Sequence, residues 1–226
     1  MVPWLCFVRR WHPPLPRTTA VPTDGKTVAV ESITPEAYLQ YSRSNSDNSY
    51  KVGIQKMIWG ESEGGAITDV VSPRNSSELF LIPLEESRLG QFMFAADRFT
   101  DQGHWSAVFV PSARVNRYPD RGTAYYRPFF PEDAVIRSAR DSANRHEYGV
   151  RWKKVHDRSD FSFMAASLIE NDHAYDVVGV DGGGHLLVDR FDRRFGMVGA
   201  TFNHVRGNVQ IKGEVAYKSA RSLLDD

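Results

Sequence analysis

Cysteine is almost missing from this chain of 226 residues: a single one, Cys6, stands near its start. One thiol makes neither an internal disulfide nor a multi-thiolate metal site, so the fold depends on neither. Net charge is missing as well, because 28 Lys and Arg balance 28 Asp and Glu. Without a field of one sign to steer it, no nucleic-acid partner is expected. Long apolar runs are absent too: the longest, such as Phe163 to Ile169, cover about seven residues, against the roughly 20 that a spanning helix needs. Transmembrane helices are therefore excluded. The opening residues also lack the order of a signal peptide, since the short apolar patch Val2 to Val8 precedes Arg9 and Arg10 instead of following basic residues. If the protein works outside the cytoplasm, its natural start is expected to be missing or misassigned.

What is present suits a folded chain. Hydrophobic residues make up 41% and aromatic residues 12%, spread along the sequence and not massed in one helical stripe. Residues 1–27, rich in Pro and Thr and without a period, read as a disordered or spurious leader. The ordered domain is expected to span 28–226.

Within it the dominant signal is alternation with a period of two, the mark of strands. The clearest stretch is Asn208 to Tyr217, with Val209, Ile211, Gly213, Val215 and Tyr217 on one face and Asn208, Gln210, Lys212 and Glu214 on the other. Tyr50 to Trp59 alternates Val52, Ile54 and Ile58 against Lys51, Gly53, Gln55 and Trp59, with Lys56 out of place on the apolar face. His104 to Val110 sets Trp105, Ala107 and Phe109 against His104 and Ser106. Further strands are expected at Glu36 to Ser42, Gln91 to Phe99, Glu147 to Lys154, Phe161 to Ile169, Asp176 to Val180, and from His185 through Phe202. Turn residues separate them: Asp101-Gln102-Gly103, Asp157 to Ser159, Asp181 to Gly184 and Arg206-Gly207.

Amphipathic strands of about ten residues joined by short turns are the pattern of a membrane barrel, and equally of a soluble β-sandwich. The fold class expected is all-β: an antiparallel outer-membrane β-barrel sheet, incompletely closed, with one inserted loop containing a short helix. That loop is Gly60 to Gly90, where Ser72-Pro73 has the form of a helix cap followed by a first-turn proline. Its charges Glu61, Asp69, Arg74, Glu85, Glu86 and Arg88 are too many to bury against lipid, so they face water or one another. Together with Gln55, Trp59, Gln210, Lys212 and Glu214 they are the candidate residues of a lumen or constriction. A second excursion, Arg114 to Asn144, is rich in Pro, Arg and Tyr and reads as an outer loop.

At Gly53-Ile54-Gln55-Lys56-Met57-Ile58-Trp59-Gly60-Glu61 the chain resembles a family of proteobacterial outer-membrane proteins, domain of unknown function thirteen-oh-two. Further blocks follow in the family's order: Asp69 to Pro73, Leu84 to Arg88, Trp105 to Pro111, Glu147-Tyr148-Gly149 and Lys212 to Tyr217. Ile54 stands where the family usually has an arginine, and members continue through more strands where this chain stops at Asp226, so an internal fragment or truncated reading frame is expected. The resemblance implies a Gram-negative outer-membrane barrel that passes small lipid-like or hydrophobic compounds, with outer-membrane lipid and an export or uptake system as partners. It carries no catalytic residues and implies no cofactor.

Four constellations invite a chemical reading. His204 beside Asn203 suggests a hydroxyl-activating pair, but neighbouring strand residues point to opposite faces. Asp172, His173 and Asp176 have metal-ligand chemistry, yet stand where polar turn residues are expected. Asp181 to His185 is glycine-rich without the ending of a phosphate cradle. Arg190, Asp192 and Arg194 share a face and suit an aqueous wall or a rim of paired charges. No enzyme is expected. The alternatives to a porin-like barrel are a plugged structural or surface-binding barrel and a soluble β-sandwich binding module.

Overall fold

The computed structural model describes residues 4–9, 22–23, 26–27, 36–43, 46–61, 67–78, 81, 83–139 and 144–219. In chain order its strands are β1 (Trp4–Arg9), β2 (Pro22–Thr23), β3 (Lys26–Thr27), β4 (Ala37–Ser42), β5 (Asn48–Gln55), β6 (Gln91–Thr100), β7 (Gly103–Val110) and β8 (Val135–Ser138). They continue as β9 (Glu147–His156), β10 (Ser159–Ile169), β11 (Ala174–Val180), β12 (Leu186–Phe191), β13 (Arg194–Arg206) and β14 (Val209–Ser219). The only α-helix among the described residues is the single turn α1 (Leu84–Ser87). The chain is all-β.

Nine strands form one sheet in the order β1-β4-β5-β6-β7-β9-β10-β13-β14, every neighbouring pair antiparallel. Its edge strands β1 and β14 do not pair with each other. A second sheet, β11-β12-β8, is built from the long connections, and its β12–β8 pair is parallel; β2 and β3 form a short ladder. In the leader, β1 joins the main sheet beside β4; most of the remaining residues before Glu36 lie outside the described set.

The connections of the main sheet are unequal at its two ends. Asp101-Gln102, Asp157-Arg158 and Gly207-Asn208 are two-residue turns, with Gly207 supplying the positive φ of 60° that such a turn needs. All three lie at one end. The segments 56–90, 111–146 and 170–193 leave from the other.

The expected elements were placed well, with four corrections. β5 ends at Gln55, so Lys56 is not on a strand and its misfit in the alternation disappears. The run from His185 to Phe202 divides at Asp192-Arg193 into β12 and β13, which belong to different sheets. Arg114 to Asn144 is not loop alone, since it contributes β8. The helix in the inserted segment begins after Pro83, not at Pro73: Pro73 is buried in extended chain, its carbonyl accepting the Leu89 amide at 2.7 Å, and Arg74 bridges Arg88.

The two faces of the main sheet differ. One carries exposed apolar side chains in cross-strand rows: Phe94, Phe109 and Tyr148 in one, Ala96, Ala107, Val150, Ala165 and Val198 in the next, Trp105, Trp152 and Phe163 in the third. The small-residue row between the aromatic ones leaves shallow apolar grooves along that face. The other face is buried and mixed. Near the long connections Met93, Val108, Val110, Met164, Leu168, Phe195 and Met197 enclose Trp59 and Val71 of the inserted segment. Strands β6, β7, β10 and β13 supply this cluster and Ala216 of β14 packs against it, so the sheet curves around segment 56–90.

Candidate functional site

The inserted segment enters directly from β5. Gln55, the last inward residue of that strand, is buried and donates through Nε2 to the Met93 carbonyl at 3.0 Å. Trp59 follows and is 1% exposed. It fits because the wall opposite carries Gly149, where an added Cβ would lie 2.6 Å from the Trp59 ring. Gly199 makes similar room for Thr68, whose Cγ2 would be 3.0 Å from a Cβ there.

Two carboxylates fasten the segment to the wall. Glu61 Oε1 accepts Lys153 Nζ at 2.8 Å and Arg151 Nη2 at 3.2 Å, both from the inner face of β9. Glu214, inward on β14, accepts the Glu61 amide at 2.7 Å through Oε1, and through Oε2 it accepts the Thr68 amide at 3.1 Å and the Thr68 hydroxyl at 2.9 Å. A single side chain on the last strand thus clasps residues on both sides of 62–66.

Further in, Asp69 Oδ2 accepts Arg88 Nη2 at 2.7 Å and Nε at 2.8 Å, with Arg74 Nη2 at 3.4 Å. Asp69 and Arg88 are buried, so the pair ties the two ends of the insert in a place from which water is excluded. Beside it Gln91 Nε2 donates to the Val71 carbonyl at 2.7 Å, and Glu147 Oε1 accepts the Ile169 amide at 2.9 Å.

Of the eleven residues singled out from the sequence, Gln55, Trp59, Glu61, Asp69, Arg74, Arg88 and Glu214 come together in this network. Gln210 and Lys212 share the inner face of β14 nearer the tight turns, Gln210 donating to Asn203 Oδ1 at 2.9 Å. Glu86 is exposed on α1, and the side chain of Glu85 lies outside the described residues. Missed by sequence reasoning were Arg151, Lys153, Thr68 and Gln91. Arg151 and Lys153 were within reach, since they share a face with Glu147 in a strand whose alternation was recognised.

The other constellations disperse. Asn203 and His204 do point to opposite faces: Asn203 meets Gln210 inside, while His204 Nδ1 lies 2.8 Å from Ser159 Oγ on the outer face. Among the described residues nothing holds the second ring nitrogen of His204, so the pair lacks the group that would orient a base. Asp172 accepts Asn116 at 2.8 Å and Tyr118 at 2.5 Å, whereas His173 pairs with Asp192 at 2.8 Å. Burial and the Asp172 carboxylate push the Tyr118 hydroxyl up to about 12. Asp192 also meets Arg145 at 3.5 Å, and Arg194 donates to the Asn144 and His146 carbonyls at 2.6 Å, forming a rim of bonded charges. Asp181 accepts the Gly183 amide at 2.8 Å and the His185 amide at 2.9 Å; the bonds from His185 lead the causes that hold its carboxyl below the usual range. It closes a turn.

No family model, curated protein or solved structure matches the chain.

Proposed function

We propose that this chain forms wall and constriction of an outer-membrane β-barrel that passes small hydrophobic or lipid-like compounds. The observation that carries the reading is the inversion of the main sheet: its exposed face is largely apolar, with Arg98 and Lys154 confined to the tight-turn end, and most of its charges point to the inside. Soluble proteins rarely leave apolar patches beyond a few hundred Å² uncovered, whereas lipid requires such a face. Short turns at one end and long connections at the other match the periplasmic and extracellular ends of outer-membrane barrels. Segment 56–90 then serves as a constriction whose opposite charges set passage. The resemblance to domain of unknown function thirteen-oh-two points the same way.

A second reading, a plugged structural barrel, draws on the clasp of Glu214 and the buried Asp69–Arg88 pair, both of which would hold the segment shut. Planar-bilayer recording of the full chain separates the two. Passage predicts stepwise conductance that rises when residues 69–86 are deleted. Conductance from the deleted form alone supports the plugged barrel, and a soluble, monomeric, cooperatively unfolding product in plain buffer supports a β-sandwich binding module instead.

A further inference from the structure

Across β6 to β14 the outer rows from Phe94 and Tyr148 up to Phe163 and Ala200 carry no charge other than Arg98, which stands at their tight-turn end. Beyond them the face turns basic. Arg98, Lys154 and Arg206 point outward, and Arg43 and Arg158 stand in the connections beside them. The carboxylates of the same rim are Asp47, Asp101 and Asp157. Asp97 and Asp160 belong to the inner face, where they pair with His104, Lys51 and Lys153. The rim thus sets five cations against three carboxylates, and none of the eight forms an ion pair among the described residues.

Gly103 marks the spot where donors meet. It lies on the outer face without a side chain, and the Trp152 ring leans over it: a Cβ there would stand 2.7 Å from Trp152 Nε1. Stacking on Phe163, with ring centroids 5.9 Å apart, holds the indole in that position. Its N–H has no acceptor among the described residues and is not sealed from solvent. Lys154 follows Lys153, the partner of His104, so it flanks Gly103 on the β9 side, its Nζ donating to the Asp101 carbonyl at 3.1 Å. Arg98, opposite Trp105, flanks it on the β6 side. Two cations and an indole N–H around one unfilled position suit the oxygens of a phosphate. Hydrocarbon suits what adjoins it, the exposed Trp105 and Phe163 and then the small-residue row. Trp, Lys and Arg are also the residues that bridge apolar surface and headgroups at a membrane interface. We propose that this rim seats the phosphate of a glycerophospholipid above Gly103, its acyl chains lying over Trp105, Phe163 and the small-residue row. The lipid as natural occupant rests on the outer-membrane reading above; the seat itself rests on the rim.

Titration calorimetry of the full chain in a non-ionic detergent, with dihexanoylphosphatidylglycerol as probe, tests it. The probe should bind roughly tenfold or more tighter than dihexanoylglycerol, which keeps the chains without the phosphate, and than glycerol phosphate, which keeps the phosphate without the chains. Lys154→Met and Arg98→Met should each weaken it roughly tenfold with the far-ultraviolet circular dichroism unchanged. Trp152→Phe, which keeps a ring and removes the N–H, should weaken it by roughly threefold. Arg137→Met, on β8 of the second sheet, should leave the isotherm as it was. Equal affinity for the probe and either fragment, a Lys154→Met isotherm like that of the unaltered chain, or an equal loss from Arg137→Met overturns the proposal. A chain that is soluble and monomeric in plain buffer yet keeps this pattern counts against the membrane reading alone. A chain that inserts into phosphatidylcholine vesicles but does not distinguish the three probes counts against the seat alone.

Discussion

On β14 Val209, Ile211, Val215 and Tyr217 are 54 to 71% exposed, while on β6 and β10 Met93 and Met164 are at 0 and 4%. Both groups are apolar and both stand on strands of the same sheet. What separates them is the face, and which face holds segment 56–90. The comparison teaches that in this chain a side chain's own hydrophobicity does not decide its burial. The inner face binds its polar groups to the insert one by one, and among the described residues nothing covers the outer face. In water such a face drives association; in lipid it is already solvated.

The sharpest way to break the comparison is on the inside. Arg88→Met should destabilise the chain by about 3–5 kcal/mol in denaturant titrations, because it strands the buried Asp69 carboxylate. Replacing both partners, Asp69→Asn with Arg88→Met, should restore most of that loss; a double variant as weak as the single would show that the charge is not the cause. The outside is tested by a matched pair on one strand. In lipid vesicles Ile211→Arg should cost about 2–4 kcal/mol if that position is near the bilayer midplane, and the neighbouring Gln210→Arg should be nearly neutral. Equal costs would mean that the faces are not distinct. Gly149→Ala probes the seam between wall and insert: a methyl 2.6 Å from the Trp59 ring forces a shift, for about 1–3 kcal/mol and a changed tryptophan emission. The smallest effect belongs to the long-connection end, away from both faces. Since Tyr118 titrates near 12 when folded and about 10 when unfolded, its contribution to stability is whole below pH 10 and is lost as pH rises through 12. Tyr118→Phe should remove that dependence, and a tyrosinate absorbance change complete by pH 10 would count against it.

Much of the sheet was legible because a hairpin is a local object. Alternation in Asn208 to Tyr217 and the turn residues on either side of 157–158 state both register and face within a few positions. The second sheet was not legible, since the parallel pairing of Val135–Ser138 with β12 joins segments about fifty residues apart and leaves no periodic trace. The helix was misplaced because Ser72-Pro73 carries a genuine local cap signal that burial overrides: Ser72 caps no helix, its hydroxyl accepting the distant Met57 amide at 2.7 Å instead of an amide two or three residues on. For the site, an excess of charge in a segment that must be enclosed pointed to Glu61, Asp69, Arg74 and Arg88. Their partners are fixed by strand register across the sheet, which single-segment reasoning does not reach.

The clasp of Glu214 has a consequence for the order of assembly. It joins β14 to Glu61 and Thr68 across 153 and 146 positions of sequence, whereas most strands of the sheet find their partner in an immediate neighbour. Contacts so distant pay their loop-closure entropy late. Closing this latch is therefore expected to follow the formation of the local hairpins, whatever the order in which they appear.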